Sequence, residues 1–212
     1  MTEMSNLVVL THPLARHKQA LLRQVDTPTK LFRELSEELA MLLAYEATRD
    51  LDTEQTEVIT PLETYRGDAI AGKKLTVVPI LRAGLGMVPG VQRLIPGVRI
   101  GHIGMYRDEE SLQPVEYYSN TPAMAEERLF LVVDPMLATG GSAVAAIDLL
   151  KARGAVRIKL LCLVSAPEGV ARMGEAHPDV MVYTAALDRQ LNEKGYILPG
   201  LGDAGDRMFG TR

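Results

Sequence analysis

The chain has 212 residues, of which 23 are Lys or Arg and 27 are Asp or Glu, so its formal net charge is −4. Hydrophobic residues make up 47% and charged residues 24% of the sequence, which excludes a disordered chain, because disorder goes with low hydrophobicity and high net charge. The acidic balance also argues against a nucleic-acid polymer as partner, since such a partner needs a basic face. The length predicts one domain spanning residues 1–212.

Cys162 is the only cysteine and lies in an apolar run, which predicts a buried thiol and excludes an internal disulfide framework. The first residues show neither the basic flank nor the cleavage site of a signal peptide. No apolar run approaches the ~20 residues that a membrane span needs. These features favour a cytoplasmic protein with no membrane partner.

In chain order, the first predicted element is a helix over residues 28–50, with Thr27 as its cap and leucines at helical spacing. Short runs rich in Val, Ile and Leu then predict strands at Leu75–Leu81, Val98–Met105, Leu129–Val133, Ile158–Val164 and Val180–Tyr183. The segment Ser142–Arg153 predicts a helix between two of them. This alternation predicts an α/β fold with a mostly parallel sheet that helices cover on both faces.

The junction after Leu129–Val133 carries the strongest site signal, because ligands of open parallel sheets bind at the carboxyl ends of the strands. Asp134 ends this strand, and the loop Thr139-Gly140-Gly141-Ser142 leads into the next helix. Backbone N–H groups at a helix start and nearby hydroxyls suit a phosphate, while Asp134 can accept hydrogen bonds from a sugar diol. The alternative is a plain strand-to-helix turn with Ser142 as the N-cap. The P-loop pattern is absent, which argues against an NTPase.

Two further strand ends carry arginines, a residue type that suits oxyanions. Arg82 and Arg107 each follow a predicted strand, and with the glycine loop they predict a substrate that has more than one phosphate group. An ion pair with Asp108 or Glu109 is the alternative for Arg107. The acidic, proline-containing stretch Glu109–Tyr117 predicts a mobile hairpin that closes over the site as a lid.

A second class of function is a dinucleotide-dependent oxidoreductase. Gly84, Gly86 and Gly90 form a relaxed dinucleotide fingerprint, and Asp108 stands about 20 residues on, where a ribose-binding acid is expected. The arginine at the strand end and the separate phosphate loop argue against this class.

The segment Val132–Ser142 resembles the sugar-phosphate signature of the phosphoribosyltransferases, and Asp134 followed by Pro135 is the variant of the uracil phosphoribosyltransferase family. The segment Gly195–Thr211 resembles the uracil-binding segment of that family, and the resemblance spans about Thr11 to Arg212. It implies a type I phosphoribosyltransferase fold with a C-terminal base-binding hood. It also implies transfer of phosphoribose from 5-phospho-α-D-ribose 1-diphosphate (PRPP) to uracil, which gives uridine monophosphate (UMP) and diphosphate in UMP salvage.

The resemblance assigns the site residue by residue. PRPP contacts are implied for Arg82, Arg107, Asp134, Pro135, Met136, Leu137, Ala138, Thr139, Gly140, Gly141, Ser142 and Asp203. Mostly main-chain contacts to uracil are implied for Ile197, Gly202, Asp203 and Ala204. The implied catalytic set is Arg82, Arg107, Asp134 and Asp203. A carbonyl that faces N3–H of uracil would reject cytosine, whose N3 is an acceptor.

The resemblance further implies Mg²⁺ that PRPP carries near Asp203, with no direct protein cage. It implies a homodimer or larger homo-oligomer, and activation by GTP in some bacterial members, for which the sequence shows no site. No residue is identified as a general base for N1 of uracil. An RNA-binding attenuator of the same fold is a further class, against which Pro135 and the acidic charge both argue.

Overall fold

The computed structural model describes residues 6–72, 75–107 and 114–211. Its helices are α1 (Pro13–Arg23), α2 (Thr29–Ala47), α3 (Val88–Leu94), α4 (Gly141–Ala152), α5 (Pro167–Ala176) and α6 (Ala204–Phe209). Its strands are β1 (Leu7–Val9), β2 (Thr53–Ile59), β3 (Thr64–Ile70), β4 (Leu75–Leu81), β5 (Arg99–Ile100), β6 (His102–Arg107), β7 (Pro114–Asn120), β8 (Leu129–Val133), β9 (Met136–Leu137), β10 (Arg157–Cys162), β11 (Val164–Ser165), β12 (Met181–Thr184), β13 (Gln190–Leu191) and β14 (Ile197–Leu198).

The main sheet has the strand order β1-β12-β10-β8-β4-β6-β7, and β5 pairs with β4 beside this path. Neighbouring strands pair in parallel except β6 and β7, which are antiparallel. The predicted α/β fold with a mostly parallel sheet is confirmed. Strands β8, β4 and β6 are direct neighbours, so the three junctions that the sequence singled out leave the same edge of the sheet.

Both faces of this sheet are covered, as strand β8 shows. Leu129, Leu131 and Val133 belong to the core formed with α1, α2, α3 and α6. Phe130 and Val132 belong to the opposite core, formed with α4 and α5. A strand that is buried on both faces is stabilised by an apolar residue at every position, which explains the uninterrupted apolar run of β8. The second core also contains Cys162, which is fully buried as predicted.

The helix predicted over residues 28–50 is α2, and both of its ends differ from the prediction. Pro28 takes the N-cap position without a side-chain cap. Thr27 precedes the cap, and its hydroxyl donates to the carbonyl of Leu21 at 2.6 Å. The helix ends at Ala47, and the following Thr48 returns both its N–H and its hydroxyl to the carbonyl of Ala44.

Two predicted strands are divided in the structure. The run Val98–Met105 becomes β5 and β6, because Gly101 interrupts it and donates its N–H to the carbonyl of Val77. The run Ile158–Val164 keeps β10 in the main sheet, whereas Val164 pairs with Met136 in a separate two-stranded sheet. The predicted helix Ser142–Arg153 is α4, shifted by one residue at each end.

Several elements were not predicted, above all α1 and the antiparallel hairpin of β2 and β3. The hairpin pairs seven residues on each side, from Thr53 opposite Ile70 to Ile59 opposite Thr64. Nearly all of its residues are exposed. Within the described ranges, no helix is both long enough and apolar enough to cross a bilayer. That residues 1–212 form one domain stays a prediction.

The glycines after β4 serve packing and do not form a dinucleotide site. They lie in a 3₁₀ helix, Ala83–Met87, and in α3. A Cβ atom on Gly84 would overlap the carbonyl oxygen of Val133, and one on Gly86 would overlap the sulfur of Met208. A Cβ atom on the third glycine, Gly90, would likewise overlap the carbonyl oxygen of Glu37. The fingerprint interpretation is therefore wrong, and Asp108, its proposed ribose-binding acid, lies outside the described residues.

Gly90→Ala is expected to lower the free energy of unfolding by about 1–3 kcal/mol, because α2 and α3 must separate to admit the methyl group. Gly97→Ala is the matched control, since a Cβ there meets nothing within 4 Å and Gly97 lies outside the left-handed region. That control is expected to be neutral or to stabilise by about 0.4–1 kcal/mol. Urea unfolding of both variants measures the difference, and equal stability would contradict the packing role.

Candidate active site

A pocket of about 370 Å³ opens at the carboxyl edge of the main sheet. Its walls come from the loop after β8, from the C-terminal segment, and from the start of the 3₁₀ helix that follows β4. It is lined by Ala83, Asp134, Met136, Ala138, Lys194, Gly195, Tyr196, Gly202, Asp203, Ala204 and Gly205. The structure thus brings together the two segments that the sequence had singled out separately.

The loop after β8 is held in place from its outer side. Its short strand β9 pairs in parallel with β11, so Met136 lies opposite Val164. The N–H of Ala166 then donates to the carbonyl of Leu137 at 2.9 Å. Helix α5 packs closely because of Gly169, where a Cβ would overlap the carbonyl oxygen of Ala138. These contacts fix the backbone that leads to α4.

The start of α4 has the geometry of an anion site. Gly140, not Ser142, is the N-cap, with φ 79° in the left-handed region that favours glycine. The first amides of a helix have no intrahelical acceptors, and the helix dipole places partial positive charge at this end. Thr139 lies next to the C-terminal segment, since a Cβ on Gly195 would lie 3.8 Å from its Cγ2 atom.

Asp134 is partly buried at the floor of the pocket. Its Oδ1 atom accepts only a long hydrogen bond of 3.5 Å, from the N–H of Met136. Loss of hydration on burial raises the pKa of this carboxyl to about 7. At neutral pH both protonation states are therefore populated, and a ligand that donates hydrogen bonds would draw the carboxyl toward its charged form.

The C-terminal wall begins with the hairpin of β13 and β14, in which Leu191 pairs with Ile197. Ile197 is buried in the core and does not line the pocket. Asp203 is exposed and caps α6, because its Oδ1 accepts the N–H of Asp206 at 2.9 Å. Gly202 and Ala204 line the pocket on either side of Asp203.

The two predicted arginines follow neighbouring strands. Arg82 is exposed and begins the 3₁₀ helix next to the pocket residue Ala83, and the Leu81–Arg82 peptide bond is cis. Arg107 ends β6, but its side chain lies outside what the structure describes. The predicted lid also falls largely outside the described residues, which resume at 114 on β7.

The pocket offers carboxylate oxygens, the ligands that Mg²⁺ prefers. Asp134 and Asp203 both line it. Within the described ranges, no three His, Cys, Asp or Glu side chains converge in a way that could hold a metal ion. Two carboxylates fit a Mg²⁺ ion that keeps much of its water and is held mainly by substrate phosphates.

Residues that the sequence did not assign also surround the pocket. Lys194 and Tyr196 line it and are exposed. Arg172 of α5 lies beside the loop that leads into α4, with its Nη1 atom 3.6 Å from where a Cβ on Gly141 would be. Lys194 could have been predicted as a pocket residue from its position next to Gly195. Nothing in the local sequence links Arg172 to the loop before α4, which lies far earlier in the chain.

Comparison with known proteins points to one family. The family model described as uracil phosphoribosyltransferase matches residues 9–211. Curated proteins of that name from Listeria innocua and Streptococcus pneumoniae are 59% and 60% identical to this chain over 209 residues, which is 99% of this chain and 100% of each relative. A solved structure of a protein from Aquifex aeolicus is 37% identical, with a TM-score of 0.91 over 96% of this chain and 97% of its own.

More distant structures share the fold alone. A hypoxanthine phosphoribosyltransferase from Staphylococcus aureus is 16% identical to this chain, with a TM-score of 0.52 over 75% of this chain and 76% of its own. At this identity the likeness supports the type I phosphoribosyltransferase fold that the sequence predicted, and says nothing about the base that is bound.

Asp134→Asn is expected to flatten the pH dependence of stability. The pKa of Asp134 rises from 3.8 to about 7 on folding, so the folded chain holds an extra proton between these values. The contribution of this proton to the free energy of unfolding is complete below pH 4 and is lost as the pH rises to about 7. The free energy of unfolding falls over this range by at most about 1.4 kcal/mol per pH unit. Asn carries no charge, so the variant should be less sensitive to pH than the wild type.

Urea unfolding between pH 4.5 and 8 measures this difference. Asp26→Asn, at an exposed aspartate outside the pocket, is the control and should follow the wild type. Parallel pH profiles for the wild type and Asp134→Asn would contradict the burial of this carboxyl.

Proposed function

Because the chain belongs to the uracil phosphoribosyltransferase family, we propose that uracil and PRPP react in the pocket at the carboxyl edge of the sheet. The chain is a pentosyltransferase of UMP salvage, which converts uracil and PRPP to UMP and diphosphate. The observation that carries the location is that the loop after β8 and the segment Gly202–Ala204 form opposite walls of one pocket.

The phosphoribosyl end of PRPP binds at the loop and the start of α4. The 5′-phosphate takes the free amides of Gly140–Ser142 and the hydroxyls of Thr139 and Ser142, since donors and a positive helix end coincide there. Asp134 accepts hydrogen bonds from the ribose hydroxyls at the floor of the pocket. Pro135 and Leu137 are buried, so they act through the main chain and through the shape of the loop.

Uracil binds against the C-terminal wall through main-chain groups. The edge of uracil alternates carbonyl and N–H groups, and main-chain groups at Ile197 and at Gly202–Ala204 can present the complementary pattern. A main-chain carbonyl opposite N3–H excludes cytosine, because the two acceptors would face each other without a proton. The small side chains at Gly202 and Ala204 leave room for this close approach.

The reaction breaks the bond between the anomeric carbon and the diphosphate oxygen, and forms a bond from the anomeric carbon to N1 of uracil. Negative charge develops on the departing diphosphate. Arg82 and Arg107, at the ends of neighbouring strands, stabilise that charge, and the pocket holds N1 on the opposite side of the sugar. No residue is assigned to accept the proton of N1, which leaves with the change from uracil to UMP.

Phosphoribosyltransferases generally use Mg²⁺ for PRPP binding, and the two carboxylates of the pocket suit that ion. When bound, Mg²⁺ neutralises charge on the diphosphate. Asp203 would hold it together with the phosphates of the substrate, while Asp134 serves the ribose. Activation by GTP, which the sequence resemblance implies for some bacterial members, and a cytoplasmic location remain predictions.

The assay for this function uses the full chain with radiolabelled uracil, PRPP and Mg²⁺. Labelled UMP is the expected product, with far less product from cytosine or hypoxanthine. Formation of a nucleotide from another base but not from uracil would overturn the proposed specificity.

Arg82→Ala and Arg107→Ala are each expected to lower kcat/KM for PRPP by at least about 100-fold, the usual cost of removing one donor from a developing negative charge. Arg99→Ala is the control. Arg99 is exposed and lies beside Thr76 near the opposite end of β4, so its loss should leave the kinetics unchanged. Wild-type kinetics in Arg82→Ala would remove that residue from the site.

The chain is proposed to form a homo-oligomer through the hairpin of β2 and β3. Two strands alone are marginally stable, yet this hairpin exposes Ile59 at 88%, Leu62 at 95% and Tyr65 at 60%. A second copy of the chain that covers these side chains would explain their exposure.

Leu62→Asp is expected to shift the protein toward the 23.2 kDa mass of one chain in light-scattering measurements, because a charge would be buried in the interface. Leu14→Asp places the same change on α1, at another exposed leucine, and should keep the wild-type mass. A wild type that is monomeric at all concentrations would refute the assembly.

A further inference from the structure

A partly buried ion pair lies outside the pocket where the reaction is placed, beside the C-terminal wall. Arg23, the last residue of α1, meets Asp188 in a bidentate contact, with Nη2–Oδ1 at 2.6 Å and Nη1–Oδ2 at 2.8 Å. The side chain of Asp188 is 6% exposed and that of Arg23 is 22% exposed. A buried ion pair adds little net stability compared with apolar residues of similar size, which suggests a geometric role for this one.

Both members of the pair also hold one backbone residue, Gly200. Arg23 Nη1 donates to the carbonyl of Gly200 at 2.8 Å, and the N–H of Gly200 donates to Asp188 Oδ2 at 2.8 Å. Gly200 has φ 62°, and a Cβ atom there would overlap the carbonyl of Ile197. The pair therefore fixes both polar groups of the turn residue that links Ile197 to Gly202.

The next carbonyl is fixed by a second arginine. Arg207 Nη1 donates to the carbonyl of Leu201 at 2.8 Å. The guanidinium of Arg207 stacks on the ring of Phe32, 4.5 Å from its centroid, and also donates to the carbonyl of Gln24, just after α1. The consecutive carbonyls of Gly200 and Leu201 are thus each bound by an arginine, the first by Arg23 and the second by Arg207.

A second cavity of about 450 Å³ lies beside these arginines and shares Gly202 and Asp203 with the first pocket. Arg23 and Arg207 line only the second cavity. Gly202 and Asp203 therefore lie between the two cavities, with the proposed base site on one side and the two arginines on the other.

We propose that Arg23 and Asp188 are positioning residues for recognition of the base. This inference rests on the proposed binding of uracil to main-chain groups of Gly202–Ala204. Rotation of a side chain cannot improve a poor hydrogen bond made by a main-chain group, so the orientation of each carbonyl and N–H depends on the backbone that precedes it. By holding Gly200, the pair sets that orientation, and the selectivity for uracil over cytosine depends on it.

The test measures steady-state kinetics of Asp188→Asn and Arg23→Ala with uracil, PRPP and Mg²⁺. Loss of a hydrogen bond to a charged group predicts a rise in KM for uracil of about 10- to 100-fold. The KM for PRPP should change less than about 3-fold, and the ratio of kcat/KM for uracil to that for cytosine should fall. Arg23→Lys keeps the charge but loses the forked guanidinium that contacts both Asp188 oxygens, and should fall between Arg23→Ala and the wild type.

Arg16→Ala is the matched control, because Arg16 is an exposed arginine on the same helix and should leave both KM values unchanged. All assays are run well below the unfolding temperature of each variant. If Arg23→Ala does not fold, Asp188→Asn, which keeps the size of the side chain, decides the matter.

A parallel rise in both KM values, or lowered thermal stability with an unchanged KM for uracil, would overturn the positioning role and leave a purely structural pair. Failure of the proposed function has a different signature. In that case the wild type itself forms no UMP, whereas failure of this inference alone leaves an active wild type and variants with the KM for uracil unchanged.

Discussion

Parallel pairing between β8 and β4 is the constraint on which the site depends. Their register runs from Leu75 opposite Leu129 to Pro79 opposite Val133, so the two strands end at nearly the same height. Parallel strands deliver their carboxyl ends to one edge of the sheet, where loops from separate parts of the chain can share a ligand. The pocket between Asp134 and Ala83 follows from this register, and Gly84 permits it because β8 passes too close for a side chain.

The electrostatics of the site are local and contrast with the charge of the whole chain. The net charge of −4 predicts no attraction for polyanions, yet the start of α4 and the nearby Arg172 and Lys194 supply positive potential at the carboxyl edge. Asp134 lies in the same pocket, where loss of hydration on burial disfavours its charged form and raises its pKa to about 7. A cleft with a few oriented donors can therefore bind a small polyanion on an acidic protein.

The sequence predicted what local patterns control. Apolar runs identified the strands of the main sheet because burial on both faces demands such runs, and strand order then brought the predicted junctions together. The hairpin of β2 and β3 was missed because its exposed strands lack an apolar run, although Pro61 in its turn was a usable signal. Thr27 was misassigned because a hydroxyl near a helix start has other acceptors, here the carbonyl of Leu21. Arg23 and Asp188, 165 residues apart, could not be paired without the fold.

The C-terminal wall is rich in glycine, and its composition alone does not make it rigid. Main-chain recognition needs backbone groups fixed to within a few tenths of an ångström, whereas glycines lose more conformational freedom on folding than any other residue. The restraint comes from elements outside the wall: Met208 fills the space above Gly86 and fastens α6 to the 3₁₀ helix, and Arg207 rests on Phe32 of α2. Arg23 of α1 also holds Gly200. The helices therefore supply the rigidity of the wall, and the glycines leave its backbone open to a ligand.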